Sequence, residues 1–174
     1  SQRGQLTLAH TDATVRAFRQ RAEVNKHFGG RTELIDRQAV GELVPSLNLD
    51  PAGLPILAGL WHLDGATARH DAVAWGYAKG ATQRGVELHQ LTEVTGVDIE
   101  AGRVTGVQTN RGKVSCGCVV QAVSGLSADV SRMAGFHLPI VVYPLQAMVT
   151  QPVKPFLDPH VSSSALHCYV HQTS

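Results

Sequence analysis

The segment Arg69-His70-Asp71 places a guanidinium, an imidazole and a carboxylate in three consecutive residues. The residues that follow favour a helix, so His70 lies at a helix N-terminus, where the dipole disfavours imidazolium and favours the neutral, nucleophilic ring. Asp71 acts in the opposite direction, because a neighbouring negative charge favours the protonated form. The guanidinium of Arg69 suits phosphate geometry. The alternatives are a surface or capping histidine and a solvated arginine.

Near the end of the chain, Tyr169 and His171 alternate with His167 in a stretch that predicts a strand. Side chains two residues apart on a strand share a face, so a phenol and two imidazoles lie on one side. Such a face can line a small-molecule site. The alternative is a half-exposed strand whose polar rings have a structural role only.

The cysteines Cys116, Cys118 and Cys168 are three in number, at spacings unlike a disulfide framework, which favours a reducing, cytoplasmic setting. Cys116-Gly117-Cys118 has neither the Cys-x2-Cys spacing nor the second pair of a structural zinc site. We therefore expect thiols packed on a strand and no metal site.

The composition is that of a globular protein, with 174 residues, of which 43% are hydrophobic and 17% charged. The formal net charge is +1 without a basic stripe, so no nucleic-acid partner is expected. No apolar run is long enough to cross a bilayer and no signal peptide is present, so no membrane partner is expected either. The chain opens on Ser1 rather than Met, which fits either processing or a fragment of a longer protein, and we expect a fragment on the grounds of the flavin motifs considered below.

The elements that position these residues begin with alternating strands and capped helices. Thr11 or Asp12 caps a helix that Gly29-Gly30 ends, and Asp36 caps a second helix that stops before Pro45. The predicted order is a strand at 5–8, a helix at 12–27, a strand at 33–35, a helix at 36–43 and an irregular stretch at 45–65.

A helix over 72–83 carries the small residues Ala72, Gly76 and Gly80 at four-residue spacing, which allows close packing against a strand at 119–123. Between them, turns at Ala101-Gly102 and at 110–112 predict an antiparallel meander. The predicted strands are 86–88, 93–99, 103–109, 113–118, 119–123, 140–150 and 166–172, with a further helix beginning near Ser127 and capped by Ser124 or Ser127.

The order of these pieces resembles the middle of the FAD-dependent oxidoreductases that include glycine oxidase, D-amino-acid oxidase and the sarcosine oxidases. The resemblance is carried by residues 84–88, 92–97, 102–107, 109–112 and 119–125. It implies an α/β (α+β) fold, the middle part of a glutathione-reductase-type FAD domain with pieces of an antiparallel-sheet substrate domain. The implied division is substrate-domain pieces at 1–64 and 136–174 around an FAD-domain piece at 65–135.

Residues 65–78 are similar to the flavinylation segment of the beta subunits of heterotetrameric sarcosine oxidases. The resemblance implies that His70 carries a covalent FMN on a surface shared with an alpha-like partner subunit, and that Arg69 pairs with the FMN phosphate. A neutral imidazole is what attack on the 8α-methyl group of an oxidised flavin requires. Residues 144–150 and 167–171 also look like this subunit.

The same resemblance assigns further residues to the FAD and substrate sites. It implies that Val94 meets the adenine through its main chain, with ordinary strand packing as the alternative. It implies that the turn beneath the FAD pyrophosphate and ribose is Ala122, Val123, Ser124 and Gly125, with a helix-entry turn as the alternative. Tyr169 and His171 are expected to line the amine pocket.

The implied reaction is oxidation of a secondary amine such as sarcosine, with electrons passing from FAD to FMN and on to oxygen. The alternatives are a single-chain FAD amino-acid oxidase of the glycine or proline type and a non-catalytic globular module. No Gly-x-Gly-x-x-Gly motif, which brings a backbone close to the FAD pyrophosphate, occurs in the sequence. We therefore expect the isolated chain to be inactive, colourless and without bound flavin.

Overall fold

The computed structural model describes residues 2–172, which fall into two compact units. The first unit takes in residues 2–74 and 150–172, and the second is Trp75–Val149. The elements in chain order are β1 (Gln5–Ala9), α1 (Asp12–His27), β2 (Thr32–Asp36), α2 (Arg37–Leu43), β3 (Ala58–His62), α3 (His70–Thr82), β4 (Val94–Glu100), β5 (Arg103–Thr109), β6 (Gly112–Ser115), α4 (Ser127–Met133), β7 (His160–Ser163) and β8 (Cys168–Val170). This mixture confirms the predicted α/β (α+β) class.

The first unit is built on a five-stranded sheet in the order β2-β3-β1-β7-β8. Strand β3 pairs antiparallel with β1 and β2, β1 pairs parallel with β7, and β7 pairs antiparallel with β8. The sequence predicted an irregular stretch where β3 lies, and that prediction is wrong. The glycine in β3, Gly59, marks close packing rather than a chain break, because a Cβ there would lie 2.6 Å from Leu6 Cδ1 and 2.9 Å from Val40 Cγ2.

Apolar side chains cover both faces of this sheet. On one face, α2 and the loop after it contribute to a core of Leu6, Leu8, Val40, Val44, Ile56, Leu157 and Val161. On the other face, α1 packs Phe18 and Ala22 against Ala9, Ala58 and Leu60. The predicted cap of α1 is confirmed, since the Thr14 N–H donates to Thr11 Oγ1 at 3.1 Å.

The predicted meander of the second unit is confirmed as the antiparallel sheet β4-β5-β6. Ala101 and Gly102 turn the chain between β4 and β5 with φ values of 47° and 77°. Strand β6 ends at Ser115 rather than at residue 118, so the cysteine pair follows the strand instead of lying on it. The only thiol of the three that is partly shielded is that of Cys116; those of Cys118 and Cys168 are exposed.

Three predicted strands, 86–88, 119–123 and 140–150, are wrong, because these residues adopt no strand. An apolar pattern reports which side chains favour burial, whereas a strand also requires a neighbour for its backbone hydrogen bonds. No strand among residues 2–172 pairs with any of the three segments. Their apolar side chains are exposed, as at Val120, Met148 and Val149, which are 87%, 96% and 98% accessible. The predicted strand at 166–172 is reduced to β8.

Helix α3 forms close to its predicted position, but its predicted packing against residues 119–123 is wrong. None of its residues is buried, and a Cβ added to Gly76 would meet no atom within 4 Å. Because residues 119–123 form no strand, the partner expected for the small-residue stripe is missing, and within the described residues α3 contacts no other helix or strand.

Candidate functional site

His70 is the first residue of α3, and its side chain is exposed. Beside it, Arg69 Nη2 donates to Asp71 Oδ2 at 3.0 Å. This guanidinium, followed by the Ala72 backbone N–H, lowers the pKa of the Asp71 carboxyl. Both partners of the ion pair are well exposed, and water screens such pairs strongly. Arg69 is therefore paired within its own turn but held weakly enough to bind a phosphate instead.

Val94 opens β4 and pairs with Thr109 of β5. Within residues 2–172, β4 has a strand neighbour on one side only, and α4 packs against it. A bulge between Val94 and Gly96 breaks the regular register at this point. The start of β4 is thus an irregular part of an edge strand, and its main chain suits the backbone contact expected of Val94.

The four residues from Ala122 to Gly125 are exposed and lead into α4 through a turn of 3₁₀ helix, Ser124–Leu126. The predicted serine cap of α4 is wrong, because Leu126 occupies the cap position and no side chain caps it. Ser127 Oγ instead donates to the Ser124 carbonyl at 2.7 Å. Ser124 has a φ of 47°, a left-handed conformation that is uncommon for a residue other than glycine.

The base of this turn is held by Gln121, whose Nε2 donates to the Ser127 carbonyl at 3.0 Å. Its Oε1 accepts from the hydroxyl of buried Ser131 at 3.3 Å. An exposed turn of small residues on a fixed base fits a bound pyrophosphate, because small side chains let a ligand approach the backbone.

Tyr169 and His171 lie together with a third ring that the sequence did not suggest, His160 of β7. The His160 ring is 5.1 Å from that of Tyr169 and 5.8 Å from that of His171, with interplanar angles of 20° and 17°. His167 lies in the turn between β7 and β8, with a φ of 49°. The hairpin register explains the difference, because Val161 pairs with Val170 and so brings residue 160 opposite residue 171.

This ring stack lies on an open part of the sheet. Paired residues of neighbouring strands share a face, so Tyr169, Ser162 and Thr7 lie on the side of the sheet that α1 covers. Helix α1 packs on β1, β2 and β3, but within the described residues it does not contact β7 or β8. The result is an uncovered polar face, on which Ser162 Oγ lies 3.1 Å from Thr7 Oγ1.

A buried histidine holds the strand that carries His160. His10 Nε2 lies 2.9 Å from Ser163 Oγ, and His10 Nδ1 lies 3.3 Å and 3.2 Å from the carbonyls of Leu54 and Pro55. A carbonyl can only accept, so Nδ1 donates and Nε2 accepts from the Ser163 hydroxyl. Sequence reasoning missed this contact, which joins residues 153 positions apart in the chain.

In the part of the chain that the structure describes, no group of three or more His, Cys, Asp and Glu side chains is placed to hold a metal ion. No helix among the same residues is long and apolar enough to cross a membrane.

The pattern of the FAD dependent oxidoreductase (DAO) family matches residues 1–174. The chain belongs to this family. It is 47% identical over 173 residues to the sarcosine oxidase subunit beta of Rhizobium meliloti (strain 1021), covering 99% of this chain and 42% of that protein. The corresponding subunit of Arthrobacter sp is 39% identical, with 99% and 43% covered. The chain therefore spans about two fifths of the length of these relatives.

Two solved structures share the fold of this chain. L-proline dehydrogenase from P. horikoshii superposes with a TM-score of 0.84 at 32% identity, covering 99% of this chain and 46% of that one. Glycine oxidase from Geobacillus kaustophilus superposes with a TM-score of 0.68 at 16% identity, covering 97% and 44%.

Proposed function

We propose that this chain is part of an FAD-dependent oxidoreductase that oxidises a secondary amine such as sarcosine. The observation that carries the proposal is the 47% identity to a sarcosine oxidase beta subunit, which extends over 99% of the chain. The close placement of Tyr169 and His171 supports it, because a small-molecule site needs a few polar groups that fix the orientation of the ligand.

The proposal assigns the FAD contacts to residues 65–135, between substrate-domain pieces at 1–64 and 136–174. Val94 meets the adenine through its main chain, and the turn from Ala122 to Gly125 lies beneath the pyrophosphate. When bound, FAD supplies the redox chemistry by accepting a hydride equivalent from the N-methyl carbon of the amine. Tyr169 and His171 orient the substrate on the sheet face, and the resulting imine goes to hydrolysis or to a folate acceptor.

The second part of the proposal concerns a covalent FMN on His70, with electrons passing from FAD to FMN and on to oxygen. The exposure of His70 at the start of α3 supports it, because the ring is accessible to a flavin. Arg69 pairs with the FMN phosphate by exchanging its weak contact with Asp71. An alpha-like subunit covers this surface in the assembled cytoplasmic enzyme.

A second candidate function is that of a single-chain FAD oxidase or dehydrogenase acting on proline or glycine. The TM-score of 0.84 to an L-proline dehydrogenase favours it. The two candidates differ in substrate preference and in whether His70 bears a flavin, so both properties distinguish them. A third candidate, a non-catalytic globular module, would show neither turnover nor bound flavin.

The test uses the complete natural polypeptide, purified with any subunits that assemble with it. We expect the highest kcat/KM for sarcosine among sarcosine, proline and glycine, and flavin fluorescence that stays with the acid-denatured chain. His70→Ala should release all of the FMN on denaturation, whereas the matched control His89→Ala, another exposed histidine, should retain it. Release of FMN from the wild-type chain would contradict the covalent link, and a preference for proline would favour the second candidate.

A further inference from the structure

The ring stack of His160, Tyr169 and His171 contains one residue to which no role has been assigned. The His160 ring is next to both of the other rings, the three centroids form a triangle, and all three rings are within 20° of parallel. The three centroids are separated by 5.1 Å, 5.8 Å and 6.2 Å. Tyr169 leaves 64% of its surface accessible, so the stack forms part of the open polar face.

We propose that His160 is a specificity-determining residue of the amine site, where it forms with Tyr169 and His171 an aromatic wall that receives the positively charged nitrogen of the substrate. This inference rests on the proposed function, since it concerns the same substrate. Aromatic faces attract ammonium groups through their quadrupoles, and the attraction strengthens when water is excluded. A charged imidazole in the wall would repel the same group.

The surroundings of His160 favour its uncharged form. Burial lowers the pKa of His160, and the charge of a protonated His171 lowers it further. From β1, the residue opposite His160 is Gln5, which is uncharged, and β8 presents Tyr169 and His171. Asp158, two residues before His160 in the sequence, forms an ion pair with Arg3 at 3.8 Å.

The sign of the pH dependence follows from this lowered pKa. Above it, His160 is neutral and the wall accepts an ammonium group. As the pH falls through the lowered pKa of His160, the wall gains positive charge and repels the substrate. We therefore expect kcat/KM to fall on the acid side through a higher KM, with kcat changed little.

The test measures KM and kcat for sarcosine as a function of pH in the complete natural polypeptide. His160→Ala removes the ring and should raise KM about three- to tenfold, in line with a cation–π contact. His160→Phe keeps the stacked ring without a titrating group, so KM at neutral pH should stay within about twofold of wild type. The fall of its kcat/KM on the acid side, here called the acid limb, should be shallower than that of wild type. The control His167→Asn replaces a neighbouring histidine outside the stack and should change neither value.

The outcomes separate this inference from the proposed function. If the wild type oxidises sarcosine but both His160 variants share its KM and its acid limb, the role of His160 is refuted and the proposed function stands. If the wild type oxidises no secondary amine, both are refuted. Should His160→Ala not fold, as judged by circular dichroism, the acid limb of His160→Phe decides.

Discussion

Gly59→Ala should destabilise the sheet that carries the candidate amine site, because the centre of β3 has no room for a methyl group. The added Cβ would lie 2.6 Å from Leu6 Cδ1, 2.9 Å from Val40 Cγ2 and 3.4 Å from Ile35 Cγ1. Leu6 and Val40 are both 0% exposed, so neither can move into solvent. Overpacking of a filled core costs about 1–3 kcal/mol, and the entropy gained on replacing a strand glycine offsets about 0.5–1 kcal/mol.

We therefore expect a net loss of about 1–2 kcal/mol in the free energy of unfolding of the first unit. The control is Gly96→Ala in β4, where the new Cβ would meet Gln108 at an ordinary 3.6 Å. That variant should be neutral or more stable by up to about 1 kcal/mol.

The assay is urea unfolding followed by tryptophan emission in a Trp75→Phe background, which leaves Trp61 of β3 as the single reporter. The midpoint should fall for Gly59→Ala without a change in slope. Leu6→Val removes the closest clashing methyl, so its cost should be smaller in the Gly59→Ala background than in wild type. Equal midpoints for Gly59→Ala and Gly96→Ala would refute the close packing of β1 on β3.

Two further predictions concern the elements around the candidate site. Thr11→Ala removes the cap of α1, which is the 3.1 Å hydrogen bond from the Thr14 N–H to the Thr11 hydroxyl. It should lower the free energy of unfolding of the first unit by about 1 kcal/mol, measured as a lower urea midpoint, whereas Thr11→Ser should not. Hydrogen bonds from Gln108 and then from Lys113 lower the pKa of the Asp98 carboxyl. At a pH above the ordinary pKa of aspartate the ionised carboxylate therefore stabilises the fold, and this stability is lost as the pH falls through the lowered pKa. Asp98→Asn should therefore reduce the acid-induced rise in hydrogen exchange across β4 and β5, and an unchanged acid response would contradict this reasoning.

The elements that could be predicted from the sequence are those with a local cause. Thr11, Asp36 and the glycines at 29 and 102 act within one turn of the chain, and the helices and turns that they bound lie where the sequence places them. The strand at 119–123 could not be judged in the same way, because its formation depends on a partner strand rather than on its own residues.

The site residues that sequence reasoning found also have a local cause, whereas those that it missed depend on contacts between distant parts of the chain. Tyr169 and His171 are two residues apart, so their shared side of the chain is visible in the sequence. His160 joins them only through the register of β7 with β8, and His10 reaches Ser163 across most of the chain. Gly59 misled the prediction of β3 because a glycine looks the same in sequence whether it breaks a strand or makes room for a buried neighbour.

The central claim, that this chain belongs to an enzyme whose flavin is reduced by a secondary amine, is tested most directly by anaerobic mixing. The complete natural polypeptide, with its bound flavin, is mixed with sarcosine in the absence of oxygen, and the visible flavin absorbance is followed. We predict that sarcosine bleaches the flavin and that readmitted oxygen restores the colour. A flavin that dithionite bleaches but sarcosine leaves oxidised would contradict the claim.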